Sequence, residues 1–276
     1  MTLSIQADAP IAVFDSGLGG LSVARHIRAC LPQESMVYFA DCGWAPYGER
    51  AHHEILDRVG VIAEWLVAQR IKAMVVACNT ATTIAIDALR TRHGDLPIVG
   101  VEPGVKPAVS ASRSQVVGVL ATEATLRTPS FKALLARQAA TCRFVCQAGH
   151  GLVSLIEQGA LDSPAIDGLL QRYLDAMLVE GVDTLVLGST HFPLLMPAIR
   201  RLYGDRFVLI ETGAAVAQRL QAVLAARSLL ASATTQPMGA PACGQVRLVS
   251  SRASPALVAL AERIVGTTSP LALALE

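Results

Sequence analysis

A regular alternation of short apolar runs with longer amphipathic stretches constrains the fold of this chain more than any other feature. The apolar runs predict strands near residues 11–14, 36–40, 73–77, 97–101, 116–120, 143–147, 184–188, 207–210 and 246–250. The amphipathic stretches predict helices near residues 20–31, 51–70, 80–92, 128–138, 151–159, 164–180, 195–203, 213–229 and 254–265. Alternating strands and helices are typical of parallel sheets with right-handed crossovers. The predicted fold class is therefore α/β.

Composition excludes several classes of protein. Of the 276 residues, 52% are hydrophobic and 16% are charged, and the formal net charge is +1. No apolar run approaches the ~18 residues of a membrane-spanning helix, and a near-neutral chain offers no basic field for nucleic acid. The N-terminus lacks the basic and apolar regions of a secretory signal. We therefore predict a cytoplasmic protein that binds neither membrane nor nucleic acid.

The six cysteines are predicted to be free thiols, because the cytosol keeps thiols reduced. Cys142 and Cys146 form the close pair, but they make no CxxC motif and no histidine cluster accompanies them. The sequence predicts core or strand thiols there, and no metal site.

An internal repeat relates the loops that follow the predicted strands. Asp15 follows the first strand and Cys78 follows the third, while Thr122 and Ser189 follow the corresponding strands of the second half. Two α/β units of this plan place four polar loops at the carboxyl ends of strands, where open α/β sheets bind ligands.

The repeat and the turn signals predict two domains. We expect the first to comprise residues 1–101 and 212–276, with residues 102–211 forming the second. The segment 230–245 is rich in small residues and is predicted to be an irregular loop. A strand and helix after it are predicted to return to the first domain, which makes that domain discontinuous.

Cys78 is predicted to stand where a strand meets a helix N-terminus. Backbone N–H groups and the helix dipole lower the pKa of a thiol at such a place, so the residue types predict an accessible thiolate. Asn79 and Thr80 can cap the helix and donate hydrogen bonds to an anionic ligand. A buried structural cysteine beside ordinary capping residues is the alternative interpretation.

Asp15 and the glycines after it form a second candidate site. The glycines allow close approach of a ligand to the backbone, and Asp15 can bind an ammonium or orient a catalytic group. The GxGxxG dinucleotide fingerprint is absent, because Gly20 is followed by Leu21, Ser22 and Val23. An aspartate N-cap with turn glycines is the alternative.

Ser189 and His191 suggest a hydrolase, but the sequence argues against one. No GxSxG motif surrounds Ser189, and residues this close in sequence seldom form a catalytic triad. His191 can instead polarise a neighbouring group or hold the ligand; an interior histidine whose hydrogen bonds are satisfied is the alternative.

Tyr47 lies in a turn-rich loop suited to covering a site, and Thr122 and Thr125 are hydroxyl donors that also suit helix caps.

Stretches spread over nearly the whole chain carry the motifs of one known family in its order and spacing. They are FDSGLGGLSV (14–23), PYGER (46–50), VVACNTATT (75–83), GVEPGVKPA (100–108), VGVLATEATLRT (117–128), IEQG (156–159) and LGSTHFPLL (187–195). Together they resemble the glutamate racemases of the aspartate/glutamate racemase superfamily. The resemblance implies two similar parallel-sheet α/β domains related by pseudo-twofold symmetry, with the active site in the cleft between them.

The resemblance also implies a reaction. L- and D-glutamate are the expected ligands, and the Cα proton is expected to be exchanged without any cofactor, pyridoxal phosphate and metal included, which supplies D-glutamate for peptidoglycan. Cys78 matches the cysteine that acts on D-glutamate, and Asp15 and His191 match the residues that assist the two catalytic cysteines. The expected substrate contacts are Asp15, Ser16, Pro46, Tyr47, Gly48, Asn79, Thr80, Thr122, Thr125, Thr190 and His191. A homodimer is compatible with this assignment.

Ser189 departs from the family pattern, since it stands at the position of the second catalytic cysteine. A serine hydroxyl is a poor proton carrier near neutrality, and losing one acid/base group typically costs ~10²–10⁴-fold in rate. The sequence therefore predicts a racemase of low activity, whether the serine is natural or engineered. Two alternatives stay open: a one-cysteine lyase or decarboxylase of the same superfamily, and a non-catalytic amino-acid-binding protein.

Overall fold

The computed structural model describes residues 5–231 and 244–275, in which two parallel sheets are covered by helices. The strands are β1 (Ile11–Asp15), β2 (Met36–Ala40), β3 (Ala73–Val76), β4 (Ile98–Gly100), β5 (Val116–Ala121), β6 (Arg143–Ala148), β7 (Thr184–Gly188), β8 (Val208–Ile210), β9 (Val246–Ser250) and β10 (Ala272–Leu273). Every strand predicted from an apolar run is present. The strand β10 was missed because its two residues are exposed and too few to show a pattern.

The strand order is the same in the two sheets around their central strands. The first sheet has the order β10-β9-β2-β1-β3-β4 and the second the order β6-β5-β7-β8, with parallel pairing throughout both. The run β2-β1-β3-β4 thus corresponds strand by strand to β6-β5-β7-β8. This confirms the predicted fold class of two parallel-sheet α/β units; the pseudo-twofold axis itself stays a prediction.

The helices cover both faces of the first sheet and both faces of the second. They are α1 (Leu21–Cys30), α2 (His52–Ala68), α3 (Asn79–Arg92), α4 (Val105–Ala111), α5 (Glu123–Arg127), α6 (Pro129–Ala136), α7 (Leu152–Glu157), α8 (Pro164–Val179), α9 (Met196–Tyr203), α10 (Gly213–Ala226) and α11 (Pro255–Val265). The sequence did not predict α4 and α5, which are too short for a clear helical period. No helix among the described residues has the length and apolar content to cross a membrane.

Alternation along β1 shows why its first four residues are all apolar. Ile11 and Val13 pack with α1, α10 and α11 on one face of the sheet. Ala12 and Phe14 pack with α2 and α3 on the other. Successive side chains of a strand point to opposite faces, so a sheet covered on both sides buries all of them.

The chain returns to the first sheet after completing the second. The strand β9 pairs with β2 in the register Met36–Val246, and α11 packs on the same sheet. The boundaries predicted at residues 101/102 and 211/212 remain predictions. The irregular loop predicted at 230–245 lies mostly outside the described residues, as does Cys243.

Candidate active site

Polar loops at the carboxyl ends of strands from both sheets surround one cavity of about 440 Å³. Most of the predicted site residues form its wall: Ser16, Pro46, Tyr47, Gly48, Cys78, Asn79, Thr80, Thr122, Ser189, Thr190 and His191. Asp15 and Thr125 are fully buried and are hydrogen-bonded to residues of this wall. The structure therefore brings the predicted residues together, although their individual roles remain predictions.

Cys78 is the N-cap of α3, directly after β3. Its Sγ accepts a hydrogen bond from the Ala81 N–H at 3.4 Å and donates one to Ser16 Oγ at 3.6 Å. Burial, reinforced by the charge of Asp15, raises the pKa of the Cys78 thiol to about 12. The predicted lowering of this pKa is wrong, because desolvation of a thiolate, with the charge of Asp15, outweighs the hydrogen bonds of the thiol with Ala81 and Ser16. Cys78 is thus a neutral thiol at pH 7.

Asp15 ends β1 and connects it to the loop after β7. Its carboxylate accepts hydrogen bonds from the Gly17 N–H at 3.0 Å and from Thr190 Oγ1 at 3.2 Å. Burial raises the pKa of Asp15 above its ordinary value, even though the neighbouring His191 acts in the opposite direction. A buried carboxyl of this kind accepts a proton more readily than one in water.

Ser189 and His191 follow β7 without forming a nucleophile–base pair. The hydrogen bond to Ser189 Oγ comes from the backbone N–H of His191, at 3.4 Å. The imidazole instead has its Nε2 atom 2.5 Å from Glu157 Oε1. Burial alone would lower the pKa of His191, but the hydrogen bond and charge of Glu157, with the charge of Asp15, raise it. This geometry agrees with the rejection of a serine hydrolase.

Glu157 is a site residue that the sequence analysis did not single out. It ends α7, and its Oε1 atom accepts a hydrogen bond from the Leu18 N–H at 2.7 Å besides contacting His191. One carboxylate therefore joins the loop after β1 to the loop after β7. The available signal was an acidic residue at the end of an apolar helix, inside the IEQG stretch.

Three threonine hydroxyls from both sheets meet on one side of the cavity. Thr80 Oγ1 lies 3.0 Å from Thr122 Oγ1 and 3.4 Å from Thr125 Oγ1. Thr122 also caps α5 by accepting the Thr125 N–H at 3.2 Å. The capping interpretation of Thr122 is therefore confirmed, while ligand binding stays a prediction that the cap does not exclude, since a capping hydroxyl still has a proton to donate.

The segment 46–48 closes the cavity from the side of the first sheet. The Tyr47 hydroxyl donates to Asp41 Oδ2 at 2.6 Å, so the ring forms wall while its polar end is already bonded. A Cβ on Gly48 would lie 3.1 Å from the Cβ of Thr122, which shows how closely this segment approaches α5.

Comparison with known proteins identifies the family. Residues 21–220 match the Asp/Glu/Hydantoin racemase family. The glutamate racemase of Ralstonia nicotianae (strain ATCC BAA-1114 / GMI1000) is 55% identical over 230 residues, which is 83% of this chain and 83% of that protein. This chain belongs to the glutamate racemase family. The glutamate racemase of Ectopseudomonas mendocina (strain ymp) is 54% identical over 84% of this chain and 87% of that protein.

Solved glutamate racemases share the fold along nearly the whole chain. The Escherichia coli enzyme in complex with L-glutamate and activator UDP-MurNAc-ala is 31% identical, with a TM-score of 0.80 over 96% of this chain and 98% of that one. The Francisella tularensis enzyme in complex with D-glutamate is 25% identical, with a TM-score of 0.82 over 97% and 98%. These matches support the same two-sheet architecture for this family member.

The other thiols that the structure describes, those of Cys30, Cys42, Cys142 and Cys146, lie outside the cavity wall. Cys142 is buried just before β6 and Cys146 is exposed on β6, and both are free thiols. Across residues 5–231 and 244–275, no three His, Cys, Asp or Glu side chains are grouped as metal ligands. Cys78 is accordingly the one thiol that the described part of the cavity wall contains.

Proposed function

We propose that this member of the glutamate racemase family interconverts L- and D-glutamate by proton transfer at Cα, with Cys78 acting on one face of the substrate. The observation that carries the proposal is the shared cavity of Cys78 and Ser189. These residues follow β3 and β7, which occupy equivalent places in the two sheets, and both line the cavity. Inversion at a carbon needs an acid and a base on opposite faces, and two such loops supply opposite faces.

The substrate groups find partners of suitable chemistry in the cavity wall. The hydroxyls of Thr80 and Thr122 and the amide of Asn79 can donate to the carboxylates of glutamate. The buried carboxylate of Asp15 favours the α-ammonium. A positive charge against the Cys78 thiol lowers its pKa from about 12, so substrate binding itself makes the thiolate, the form that can remove a proton, more accessible.

Ser189 limits the reaction on the second face. A hydroxyl neither donates nor removes a proton as readily as a thiol near neutral pH. Both directions of racemisation use both faces, so both are expected to be slow, by ~10²–10⁴-fold relative to a two-thiol site. Exchange of the Cα proton of D-glutamate through Cys78 needs one face and is expected to continue.

Proton NMR of D- and L-glutamate in deuterated buffer tests the proposal. We expect the chain to exchange the Cα proton of D-glutamate and to racemise slowly, and Ser189→Cys to racemise ~10²–10⁴-fold faster. Cys78→Ser should abolish exchange. Cys42→Ser is the matched control, because Cys42 is a buried thiol that does not line the cavity. Equal racemisation by the chain and Ser189→Cys would contradict the role of Ser189.

The presence of one thiol in the described part of the cavity wall favours one further candidate, the lyase or decarboxylase. A planar intermediate protonated from one face needs one proton carrier. Release of CO₂ from a malonate-type acid, without exchange into glutamate, would favour it. Tight glutamate binding without deuterium incorporation would instead favour a binding protein.

The possible homodimer and the cytoplasmic location stay predictions. Light scattering checks the first.

A further inference from the structure

A polar cluster outside the cavity wall holds the segment 46–48. Asp41 is fully buried just after β2, and its carboxylate accepts hydrogen bonds from the Tyr47 hydroxyl at 2.6 Å and from Arg58 Nε at 2.9 Å on one oxygen. Arg58 Nη2 donates to the other oxygen at 2.7 Å. Arg58 is on α2, its side chain is 10% exposed, and it does not line the cavity.

Arg58 also reaches two other segments. Its Nη2 atom donates to the carbonyl of Leu275, which follows β10, at 2.8 Å. Its guanidinium carbon lies 5.1 Å from the ring centroid of Trp44, a ring that Arg50 also contacts at 4.5 Å. Arg50 Nε in turn donates to the Trp44 carbonyl at 2.7 Å. One side chain therefore connects β2, the loop over the cavity, α2 and the residues after β10.

The geometry of the cluster leaves Asp41 little freedom. A guanidinium that donates to both carboxylate oxygens fixes the plane of the carboxylate, and an ammonium cannot do this. The Tyr47 hydroxyl is bonded to that fixed carboxylate, and the Tyr47 ring packs against Phe14 at a centroid distance of 6.4 Å. The position of Tyr47 in the wall thus depends on the orientation of Asp41.

We propose that Arg58 is a positioning residue for the glutamate site: acting through Asp41, it holds Tyr47 and the segment 46–48 in the cavity wall, and it ties the residues after β10 to that wall. The inference rests on the proposed function. A wall segment contacts the ground state and the transition state alike. Loss of its position therefore raises KM and leaves kcat nearly unchanged.

Titration calorimetry with D-glutamate tests the inference by comparing the unmodified chain with single variants that keep Ser189. We expect Arg58→Met to weaken binding about tenfold to a hundredfold, the size of effect that misplaced site residues produce. Arg201→Met is the matched control. Arg201 makes an equivalent two-bond pair with Asp167, at 2.9 and 2.8 Å, between α9 and α8 and away from the cavity. The control should leave the Kd within about twofold of the unmodified chain.

Two readouts separate positioning from general stability. In the Ser189→Cys background, Arg58→Met should raise KM while kcat changes less than about threefold. Tyr47→Phe should weaken binding far less in the Arg58→Met variant than alone, because both substitutions break the same connection. If Arg58→Met does not fold, Arg58→Lys decides. It keeps the charge and loses the fork, so its Kd should rise by about threefold to tenfold.

Each outcome decides between the proposals. An unmodified chain that does not bind D-glutamate overturns the proposed function and this inference with it. A chain that binds, with Arg58→Met or Arg58→Lys binding equally well, overturns this inference alone. A fall in kcat at constant KM, or additive effects of Arg58→Met and Tyr47→Phe, also overturns it.

Discussion

Single buried side chains, and the groups that burial places against them, set the chemistry of this site. Cys78 shows the effect most clearly, since desolvation moves its pKa to about 12 although it caps a helix. The local motif predicted the opposite direction. Helix position is visible in sequence, whereas the depth of a side chain and its distance from Asp15 are not, because Asp15 lies on another strand.

Gly19 illustrates how closely backbone and side chains approach here. A Cβ at this position would overlap the imidazole of His191 and would lie 2.7 Å from its Cε1 atom. We expect Gly19→Ala to displace the ring and to lower Cα exchange of D-glutamate by about 10²-fold. Deuterium incorporation measured by NMR checks this.

Gly168→Ala is the control for that substitution. Gly168 lies on α8, and a Cβ added there would have no neighbouring atom within 4 Å, so exchange should be unchanged and stability slightly increased. Similar losses of exchange in the two variants would contradict the explanation.

The pair of His191 and Glu157 makes stability depend on pH. Burial disfavours the imidazolium, but Glu157, together with the charge of Asp15, more than offsets this and raises the pKa of His191 above the ordinary value of 6.5. The folded state therefore binds this proton more tightly than the unfolded state. The contribution of the pair is fully present below pH 6.5 and is lost as the pH rises through the raised pKa of the folded state.

Urea unfolding at a series of pH values measures this effect. We expect the free energy of unfolding of the unmodified chain to fall as the pH rises from 6.5 through the raised pKa of His191. In Glu157→Gln it should fall less over the same pH range. The same pH dependence in both proteins would show that Glu157 does not set the pKa of His191.

Elements of the chain are well encoded where a strand, a polar turn and a helix follow one another. The unit of β3, Cys78 and α3 was predicted to within one residue at each end, because an apolar strand and a capped helix both have local signatures. The short helices α4 and α5 lack a clear apolar period, although Thr122 caps α5. Contacts with neighbouring strands and with the segment 46–48 stabilise them instead.

The helix α11 offers a test at this scale. Ser254 is its N-cap, and Ser254 Oγ accepts the Leu257 N–H at 3.2 Å. We expect Ser254→Ala to lower the free energy of unfolding by about 1 kcal/mol, as the loss of a serine cap does. Ser110→Ala, at an exposed position inside α4, is the control and should change stability by less than about 0.5 kcal/mol. Chemical denaturation of both variants decides the matter.

The whole molecule depends on connections between segments that are far apart in sequence. The Ser22 hydroxyl donates to the carbonyl of Thr190 at 2.8 Å, so α1 contacts the loop after β7. At the other end of the first sheet, Lys72 is fully buried and forms an ion pair with Glu34. Lys72 Nζ also donates to the carbonyl of Ala7 at 2.5 Å, and Glu34 Oε1 accepts the Ala231 N–H at 2.8 Å.

This buried pair should matter more to stability than any surface ion pair. We expect Lys72→Met to lower the free energy of unfolding by about 3–5 kcal/mol, because it leaves the Glu34 carboxylate buried without its partner. The double variant with Glu34→Gln should recover part of that loss. Urea denaturation measures both, and a double variant no more stable than Lys72→Met would contradict this account.

The amino-acid sequence by itself determined nearly all the strands, most of the helices, the two-sheet architecture and part of the cavity wall, including Cys78 and Ser189. Periodic burial and capping are local properties, and the site loops follow strands in both halves. Only the tertiary structure decided how the site is held. Glu157 bonds to Leu18, 139 residues away, and Arg58 connects Asp41 to Leu275, 217 residues from itself. Such contacts depend on which distant segments burial brings together, and burial also reversed the expected pKa of Cys78.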